Sequence, residues 1–375
     1  MTAIGPANIR VREAVRTLIP YEPGKPVDEV RRELGLDTIV KLASNEGPFG
    51  PFPAALDAIE AGIGELNRYP DGGIYRLRDA LAVRHGVDQD NVAVGAGADA
   101  IISYLLLALL EPGDEVVCGW PSFPSYVIDA RKLSATAVLV SLRDGSYDLP
   151  ALLEAITDRT RVVFICNPNN PTGTMVDRKA IDAYFSDVPS HVLTVLDEAY
   201  WEYVEDQGYP DGIAEYARDG HATLVLRTFS KIFGLAGLRV GYGVGPSDVV
   251  AAVRKVQNAF DVTQPAQDAA LASLDDTAEL ERRRELNRVG RDQLNGGLLQ
   301  LGLKPTEPAV ANFVYVDLGM DGRSIADQML RKGVIIRPMA AFGAESAVRI
   351  SVGTTEDNDT CLEALGEVLA SGGTS

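Results

Sequence analysis

The chain has few of the residues that bind metal ions or form disulfides. Its 375 residues include three cysteines and three histidines. No two cysteines form a CxxC pair, and Cys118 and Cys166 lie in apolar runs typical of strands. We therefore expect no metal site and no disulfide framework, and we interpret the cysteines as buried thiols of a reducing cytoplasm.

Positive charge and long hydrophobic runs are also scarce. Lysine and arginine number 35 against 53 acidic residues, which gives a net charge of -18 and a pI near 4.6. Such a charge opposes binding to nucleic acid or to an anionic membrane, although a local basic site can still bind a small anion. The longest apolar run, 104–110, is far shorter than the roughly 20 residues of a membrane-spanning helix. We expect a soluble, cytoplasmic protein that acts on small molecules.

The middle of the chain alternates apolar runs with amphipathic segments. Runs such as NVAVGAG, EVVCGW, RVVFICN and ATLVLRTFS predict buried strands, and segments such as ADAIISYLLLALL predict helices. This pattern predicts an α/β fold whose large domain, 45–275, has a mostly parallel central sheet covered by helices. A long charged helix and three short strands after about residue 275 predict a smaller α/β domain, 276–375. We expect 1–44 to join it or to reach a partner subunit.

Polar motifs follow the predicted strands. They are GAGAD, GWPSFPSY, NPNNPTG, DEAYWEY and TFSK. Because ligands of parallel sheets bind outside the carboxyl ends of the strands, these motifs predict one shared site.

Lys231 lies in the last of these motifs, within TFSKIFGLAGLR. A lysine amine is a useful nucleophile when its pKa is lowered or when it is condensed with an aldehyde. The hydroxyls of Thr228 and Ser230 and the guanidinium of Arg239 would suit a phosphate ester. A lysine beside a phosphate site favours pyridoxal 5'-phosphate as the cofactor.

The other motifs offer contacts to the ring of that cofactor. Asp197 ends a predicted strand and can supply the acid that the pyridine nitrogen requires. Tyr200 and Asn170 are candidate donors to the ring oxygen, and Phe123 is a candidate stacking partner. From the residues alone, Asp197 also fits a helix N-cap, NPNNPTG a simple turn and Phe123 a core aromatic.

The GAGADA motif would place helix N-terminal amides, those of Ala98 and Asp99, against the phosphate. The competing interpretation is the dinucleotide fingerprint GxGxxG. Its third glycine is replaced by Ala100, and no first βαβ unit is built around the motif. We therefore disfavour nicotinamide binding.

The order and spacing of these motifs are more specific than any one of them. Together they make the sequence resemble the fold type I pyridoxal-phosphate-dependent aminotransferases, in the histidinol-phosphate aminotransferase branch, over nearly the whole chain. The remaining segments that carry the resemblance are YEPGKPVDEV (21–30), KLASNEGPFGP (41–51), RYPDGGIYRLRDALA (68–82), TFSKIFGLAGLRVGY (228–242) and VRISVGTTEDN (348–358).

The resemblance assigns roles to the candidate residues. It implies that Lys231 forms the Schiff base and shuttles protons, that Asp197 binds the pyridine nitrogen, and that Asn170 and Tyr200 bind the ring oxygen. It further implies a homodimer in which Tyr69 reaches the phosphate of the other subunit's cofactor. The phosphate ligands within one chain would be Ala98, Asp99, Thr228, Ser230 and Arg239.

The resemblance also implies the substrates. Arg349 resembles the arginine that binds the substrate carboxylate, and Arg337 and Tyr21 would add contacts to a substrate phosphate. Asn45 would complete the substrate site. The expected reaction is transamination between L-histidinol phosphate and 2-oxoglutarate, which gives imidazole acetol phosphate and glutamate. Two alternatives stay open: an aromatic amino acid aminotransferase and a pyridoxal-phosphate-dependent decarboxylase or other lyase.

Four positions in three segments depart from the common family pattern. Gly47 replaces the second asparagine of NENP, and Phe123 stands where a tyrosine is usual. In QNAFDVT, Ala259 and Asp261 differ from the usual PFNV pattern near the substrate. Phe123 would keep the stacking on the ring and lose the hydroxyl, and the departure in QNAFDVT bears on the substrate rather than on the cofactor.

Overall fold

The computed structural model describes residues 9–19 and 24–372. The strands are β1 Val40–Leu42, β2 Val92–Gly95, β3 Glu115–Trp120, β4 Thr136–Ser141, β5 Thr160–Cys166, β6 Leu193–Asp197, β7 Thr223–Thr228, β8 Gly241–Val244, β9 Lys304–Pro305, β10 Phe313–Asp317, β11 Val334–Pro338 and β12 Ala347–Ser351. The helices are α1 Glu13–Arg16, α2 Val27–Leu34, α3 Pro53–Gly62, α4 Tyr75–His85, α5 Ala98–Leu109, α6 Ser125–Lys132, α7 Leu149–Glu154, α8 Arg178–Asp187, α9 Ser247–Val256, α10 Gln264–Ser273, α11 Thr277–Gln300, α12 Gly322–Arg331 and α13 Thr355–Gly372.

Seven strands form the larger sheet in the order β2-β8-β7-β6-β5-β3-β4. Strand β8 runs antiparallel to its neighbours β2 and β7, and the other pairs are parallel. The central strands are buried along nearly their whole length, which explains why their sequences are continuously apolar. The predicted α/β class with a mostly parallel, helix-covered sheet is confirmed. The antiparallel β8 was not predicted.

Five strands form the smaller sheet in the order β1-β11-β12-β10-β9. Strand β1 pairs in parallel with β11, so 40–42 join a sheet whose other strands come from the last quarter of the chain. Every strand of this sheet lies outside 45–275. The domain boundaries themselves stay a prediction.

The long helix predicted after residue 275 is α11, which spans 24 residues. It begins after Asp276, whose side chain accepts a hydrogen bond from the backbone N–H of Glu279 at 3.0 Å. This is the usual way in which an aspartate satisfies a free N–H group at a helix start. Among the described residues, no helix is both long and apolar enough to cross a membrane.

Candidate active site

A cavity of about 370 Å³ lies where the carboxyl ends of the larger sheet meet the smaller sheet. It is the place predicted for a ligand of a parallel sheet. Most of the residues singled out in the sequence line it: Asn45, Ala98, Asp99, Phe123, Asn170, Asp197, Tyr200, Thr228, Ser230, Lys231, Arg239 and Arg349.

Lys231 extends into this cavity from the turn that follows β7. Its Nζ donates to the backbone oxygen of Asn45 at 3.3 Å and lies 5.5 Å from the centre of the Tyr200 ring. Burial lowers the pKa of Lys231 to about 8, and the positive charge of Arg349 acts in the same direction. The carboxylate of Glu46 opposes both effects. Roughly a tenth of this amine is therefore neutral at pH 7, and about half at pH 8, far more than for an ordinary lysine, so it can act as a nucleophile or base.

Asp197 is the last residue of β6 and is buried. Its Oδ2 accepts a hydrogen bond from the hydroxyl of Tyr126 at 2.5 Å, and its Oδ1 accepts one from the backbone N–H of Ala199 at 3.1 Å. Burial raises the pKa of Asp197, and the two donors partly offset this rise. The carboxylate is thus held by hydrogen bonds on both oxygens while it lines the cavity.

The start of α5 forms a concave surface that suits an anion. Gly97, with φ of +84°, precedes the helix, and a Cβ at this position would lie 2.6 Å from Arg239 Nη2. A Cβ on Gly241 would lie 2.4 Å from the backbone nitrogen of Ala98. Arg239 Nη1 also donates to Ser230 Oγ at 3.3 Å. Backbone N–H groups, a guanidinium and hydroxyls therefore converge as a phosphate group would require.

The opposite wall of the cavity comes largely from the smaller sheet. Arg349 Nη1 donates to Asn170 Oδ1 at 2.5 Å, and Nη2 donates to the backbone oxygen of Ala43 at 2.8 Å. The Asn45 side-chain amide donates to the Tyr200 hydroxyl at 2.9 Å. Burial raises the pKa of Tyr200, and the positive charge of Arg349 opposes that rise. The hydroxyl of Tyr200 therefore stays protonated and can donate a hydrogen bond.

Two predicted site residues lie elsewhere, and a third is not among the described residues. Arg337 pairs in register with Arg349 on the adjacent strand β11, but it lines a neighbouring cavity. Tyr69 is 80% exposed and stacks on Phe260 with ring centroids 4.3 Å apart, so it does not line the cavity of its own chain. Tyr21 lies outside the described residues.

Sequence reasoning did not single out several residues in or next to the cavity, among them Tyr126, Glu46 and Phe342. Tyr126 follows Phe123 by one helical turn in the same PSFPSY motif, so its position gave a usable signal. Glu46 lies within the quoted NEGP segment, and its charge acts on Lys231. Phe342 reaches the cavity from a 3-10 helix after β11, and no local pattern marks it.

The chain belongs to the family described as aminotransferase class I and II, whose model matches 37–365. The site just described therefore lies in an aminotransferase.

Individual relatives narrow the comparison. A histidinol-phosphate aminotransferase of Moorella thermoacetica is 46% identical over 364 residues, which cover 96% of this chain and 93% of the relative. Histidinol-phosphate aminotransferase 2 of Pseudomonas fluorescens is 47% identical over 358 residues, which cover 95% of this chain and 96% of the relative. A crystal structure of histidinol-phosphate aminotransferase from Sinorhizobium meliloti in complex with pyridoxal 5'-phosphate superposes with a TM-score of 0.89. It is 29% identical and covers 97% of this chain and 99% of that chain.

Proposed function

We propose that the protein is a histidinol-phosphate aminotransferase that uses pyridoxal 5'-phosphate to exchange an amino group between L-histidinol phosphate and 2-oxoglutarate. The observation that carries the proposal is the convergence of Lys231, Asp197 and Arg349 on one cavity. Relatives of that name, similar over nearly their whole length, support the choice of substrate.

The residues of the cavity fit the cofactor. The start of α5 and Arg239 would hold its phosphate, Asp197 its pyridine nitrogen, and Tyr200 with Asn170 its ring oxygen. Phe123 would stack on the ring. When bound, the cofactor supplies an electron-accepting ring that stabilises negative charge on the α-carbon of the amino donor.

Lys231 is the proton carrier in this proposal. Its lowered pKa leaves the amine able to accept the α-proton of the amino donor and to donate a proton afterwards. The carbonyl of Asn45 accepts a hydrogen bond from this amine and so limits its position. Asp197, with donors on both oxygens, keeps a fixed negative charge beside the ring nitrogen.

Arg349 binds an anionic group of each substrate in turn, the phosphate of histidinol phosphate or a carboxylate of 2-oxoglutarate. Its guanidinium is buried and is oriented by hydrogen bonds to Asn170 and to the carbonyl of Ala43. The N–H groups of the guanidinium are therefore already oriented in the absence of substrate. A fixed guanidinium matches a carboxylate or a phosphate through two parallel hydrogen bonds. The same arginine can therefore serve both half-reactions.

A second cavity next to the site favours a substrate that carries a phosphate. Arg131, Arg323 and Arg337 line this cavity, and it shares Pro124 and Phe342 with the active site. Within 9–19 and 24–372, no carboxylate forms an ion pair with Arg131 or Arg323. In a chain of net charge -18, such a local excess of positive charge attracts anionic substrates.

We also propose a homodimer in the cytoplasm. Tyr69 and Phe260 stack on the surface, and large apolar side chains on α3 and α4 and between them are also exposed. These exposed residues are Leu56, Ile63, Leu66 and Tyr75. Large exposed apolar side chains on successive segments are typical of a subunit interface. Tyr69 would reach the cofactor phosphate of the partner subunit from this surface.

The first experiment follows the absorption spectrum of the cofactor-loaded protein without any 2-oxo acid. L-histidinol phosphate and L-phenylalanine are added separately as amino donors. We expect rapid loss of the band of the lysine-bound cofactor with histidinol phosphate and a much weaker response to phenylalanine. Restoration of the band by 2-oxoglutarate completes the cycle.

Other outcomes would replace the proposal. A preference for phenylalanine would identify an aromatic amino acid aminotransferase. Carbon dioxide release that needs no 2-oxo acid would identify a decarboxylase. The absence of any lysine-bound cofactor band would rule out the role of Lys231.

A further inference from the structure

Tyr126 lies directly behind the active-site cavity and is fully buried. It is the second residue of α6, and its ring stacks on Phe164 of β5 with centroids 4.2 Å apart and an interplanar angle of 10°. The same ring makes a T-shaped contact with Phe123, with centroids 5.7 Å apart and an interplanar angle of 76°. These two aromatic contacts hold the ring in place, and its hydroxyl points toward Asp197.

The hydrogen bond between Tyr126 and Asp197 is the shortest contact that this carboxylate makes. The Tyr126 O–H donates to Asp197 Oδ2 at 2.5 Å, against 3.1 Å for the Ala199 N–H to Oδ1. A donor of this kind stabilises the charged carboxylate, and in a buried site its loss leaves the charge poorly solvated.

Other charged and titratable groups also face Asp197. Asp99 of α5 repels its charge, and Lys231 after β7 attracts it. Cys166 of β5 pairs in register with Asp197, and burial raises the pKa of its thiol, so it stays neutral. Tyr200 lies on the following turn and also stays neutral. Only Tyr126 donates a side-chain hydrogen bond to Asp197 among the described residues.

We infer that Tyr126 is a positioning residue that keeps Asp197 charged and correctly oriented toward the cofactor nitrogen, and that it links this carboxylate to the stacking residue Phe123. The inference rests on the proposed function, since it assumes that Asp197 binds that nitrogen. Tyr126 does not line the cavity itself, so it acts through the two residues that do.

The consequence concerns where one proton resides. With Tyr126 present, the carboxylate is stabilised as an anion and would keep the ring nitrogen of a bound cofactor protonated. Without the hydroxyl, the carboxyl of Asp197 would compete for that proton, and the ring would carry less positive charge. A cofactor linked to Lys231 would then lose its own proton only at a higher pH.

The test is a pH titration of the cofactor absorption band in the holoenzyme with Tyr126→Phe. We expect the midpoint to move upward by about one pH unit, as the loss of one hydrogen bond to a charged group predicts. We also expect kcat to fall roughly tenfold with KM for histidinol phosphate nearly unchanged, because the residue touches no substrate. Tyr184→Phe is the matched control, since Tyr184 is equally buried and its hydroxyl contacts Thr194 instead.

A double variant isolates the pathway through Asp197. In an Asp197→Asn background, Tyr126→Phe should produce no further change in the midpoint. The inference would be overturned if Tyr126→Phe and Tyr184→Phe had the same midpoint. It would also be overturned if Tyr126→Phe shifted the midpoint in the Asp197→Asn background as much as it does in the wild-type protein. If the wild-type protein shows no lysine-bound cofactor band, the proposed function fails instead.

A second substitution keeps the inference testable if Tyr126→Phe does not fold. Replacement of Tyr126 by 3-fluorotyrosine retains the ring and makes the phenol a stronger donor. The midpoint should then move to lower pH, opposite to the shift expected for Tyr126→Phe. An unchanged midpoint would overturn the inference.

Discussion

The two sheets contribute to the cavity in different ways. The larger sheet supplies Asp197 and Lys231 at or just after the carboxyl ends of β6 and β7, within short motifs. The smaller sheet supplies Arg349 from the middle of β12, together with Asn45 just after β1. The proposed cofactor contacts therefore depend on local turns, whereas the proposed substrate contacts depend on the packing of distant segments. This difference predicts that variants on the two sides will fail in different ways.

Removal of Lys231 should have the largest effect. Lys231→Ala deletes the proton carrier, and we expect transamination to fall by about 10⁴-fold or more for every amino donor. The cofactor should still bind through its phosphate contacts, which ultrafiltration of the loaded protein would measure. Lys231→Arg is the control, since it keeps the positive charge. Sustained turnover by Lys231→Ala would contradict the assigned role.

Replacement of Arg349 should be the next most damaging change. Arg349→Lys retains the charge but loses the two-pronged geometry and the bond to Asn170. We expect kcat/KM to fall by about 30- to 1000-fold, the range that follows from losing one partner of a buried charge-assisted contact.

The comparison of the sheets makes this prediction specific. The spectrum of the bound cofactor without substrate should be nearly unchanged in Arg349→Lys, because the arginine belongs to the substrate side. An altered spectrum with normal substrate kinetics would reverse the division of roles between the sheets.

The arginines of the neighbouring cavity should have a moderate effect. In the double variant Arg131→Gln/Arg323→Gln, we expect kcat/KM for histidinol phosphate to fall by about three- to tenfold at low salt, with kcat unchanged. The difference should shrink at high salt because these exposed charges are screened. Arg331→Gln, on the same helix α12 but outside the cavity, is the control. An equal loss in the control would show that the effect comes from overall charge.

The smallest expected change concerns the pH dependence of cofactor uptake by the apoprotein. Uptake requires a neutral Lys231, so its rate should rise with pH and level off above about pH 8. Glu46 raises the pKa of Lys231, so Glu46→Gln should move this transition to lower pH. Stopped-flow absorbance over a pH series would measure both curves. A shift to higher pH would contradict the assigned electrostatic effect.

The cofactor side of the site was largely predictable from the sequence. Lys231, Asp197 and Asn170 each lie within a few residues of an apolar strand, and strands of a parallel sheet bring their carboxyl ends together. The short strand β8, with the sequence GYGV, was missed because two of its four residues are glycines and carry no hydrophobic signal.

The substrate side was less accessible to local reasoning. The position of Asn45 depends on Ser351, which is 306 residues away in the chain. The backbone N–H of Asn45 donates a hydrogen bond to Ser351 Oγ at 2.8 Å. Arg349 was singled out by family resemblance rather than by a pattern of its own. The direction of the Tyr126 hydroxyl depends on how α6 packs against β5, and such packing is a tertiary property. Contacts of this kind have no local periodicity from which they can be predicted.

The pairing of β1 with β11 also has a consequence for the order of assembly during synthesis. All strands of the larger sheet lie between residues 92 and 244. In the smaller sheet, by contrast, Val40 of β1 can pair with Val334 of β11 only after β11 has been synthesised. During synthesis, a segment can fold as soon as all the residues that it contacts have emerged from the ribosome. Pairings between residues far apart in the chain therefore form late. The smaller sheet, which carries the proposed substrate contacts, is therefore completed last, from segments near both ends of the nascent chain. A truncated product that ends before β11 could form the larger sheet but would lack Arg349.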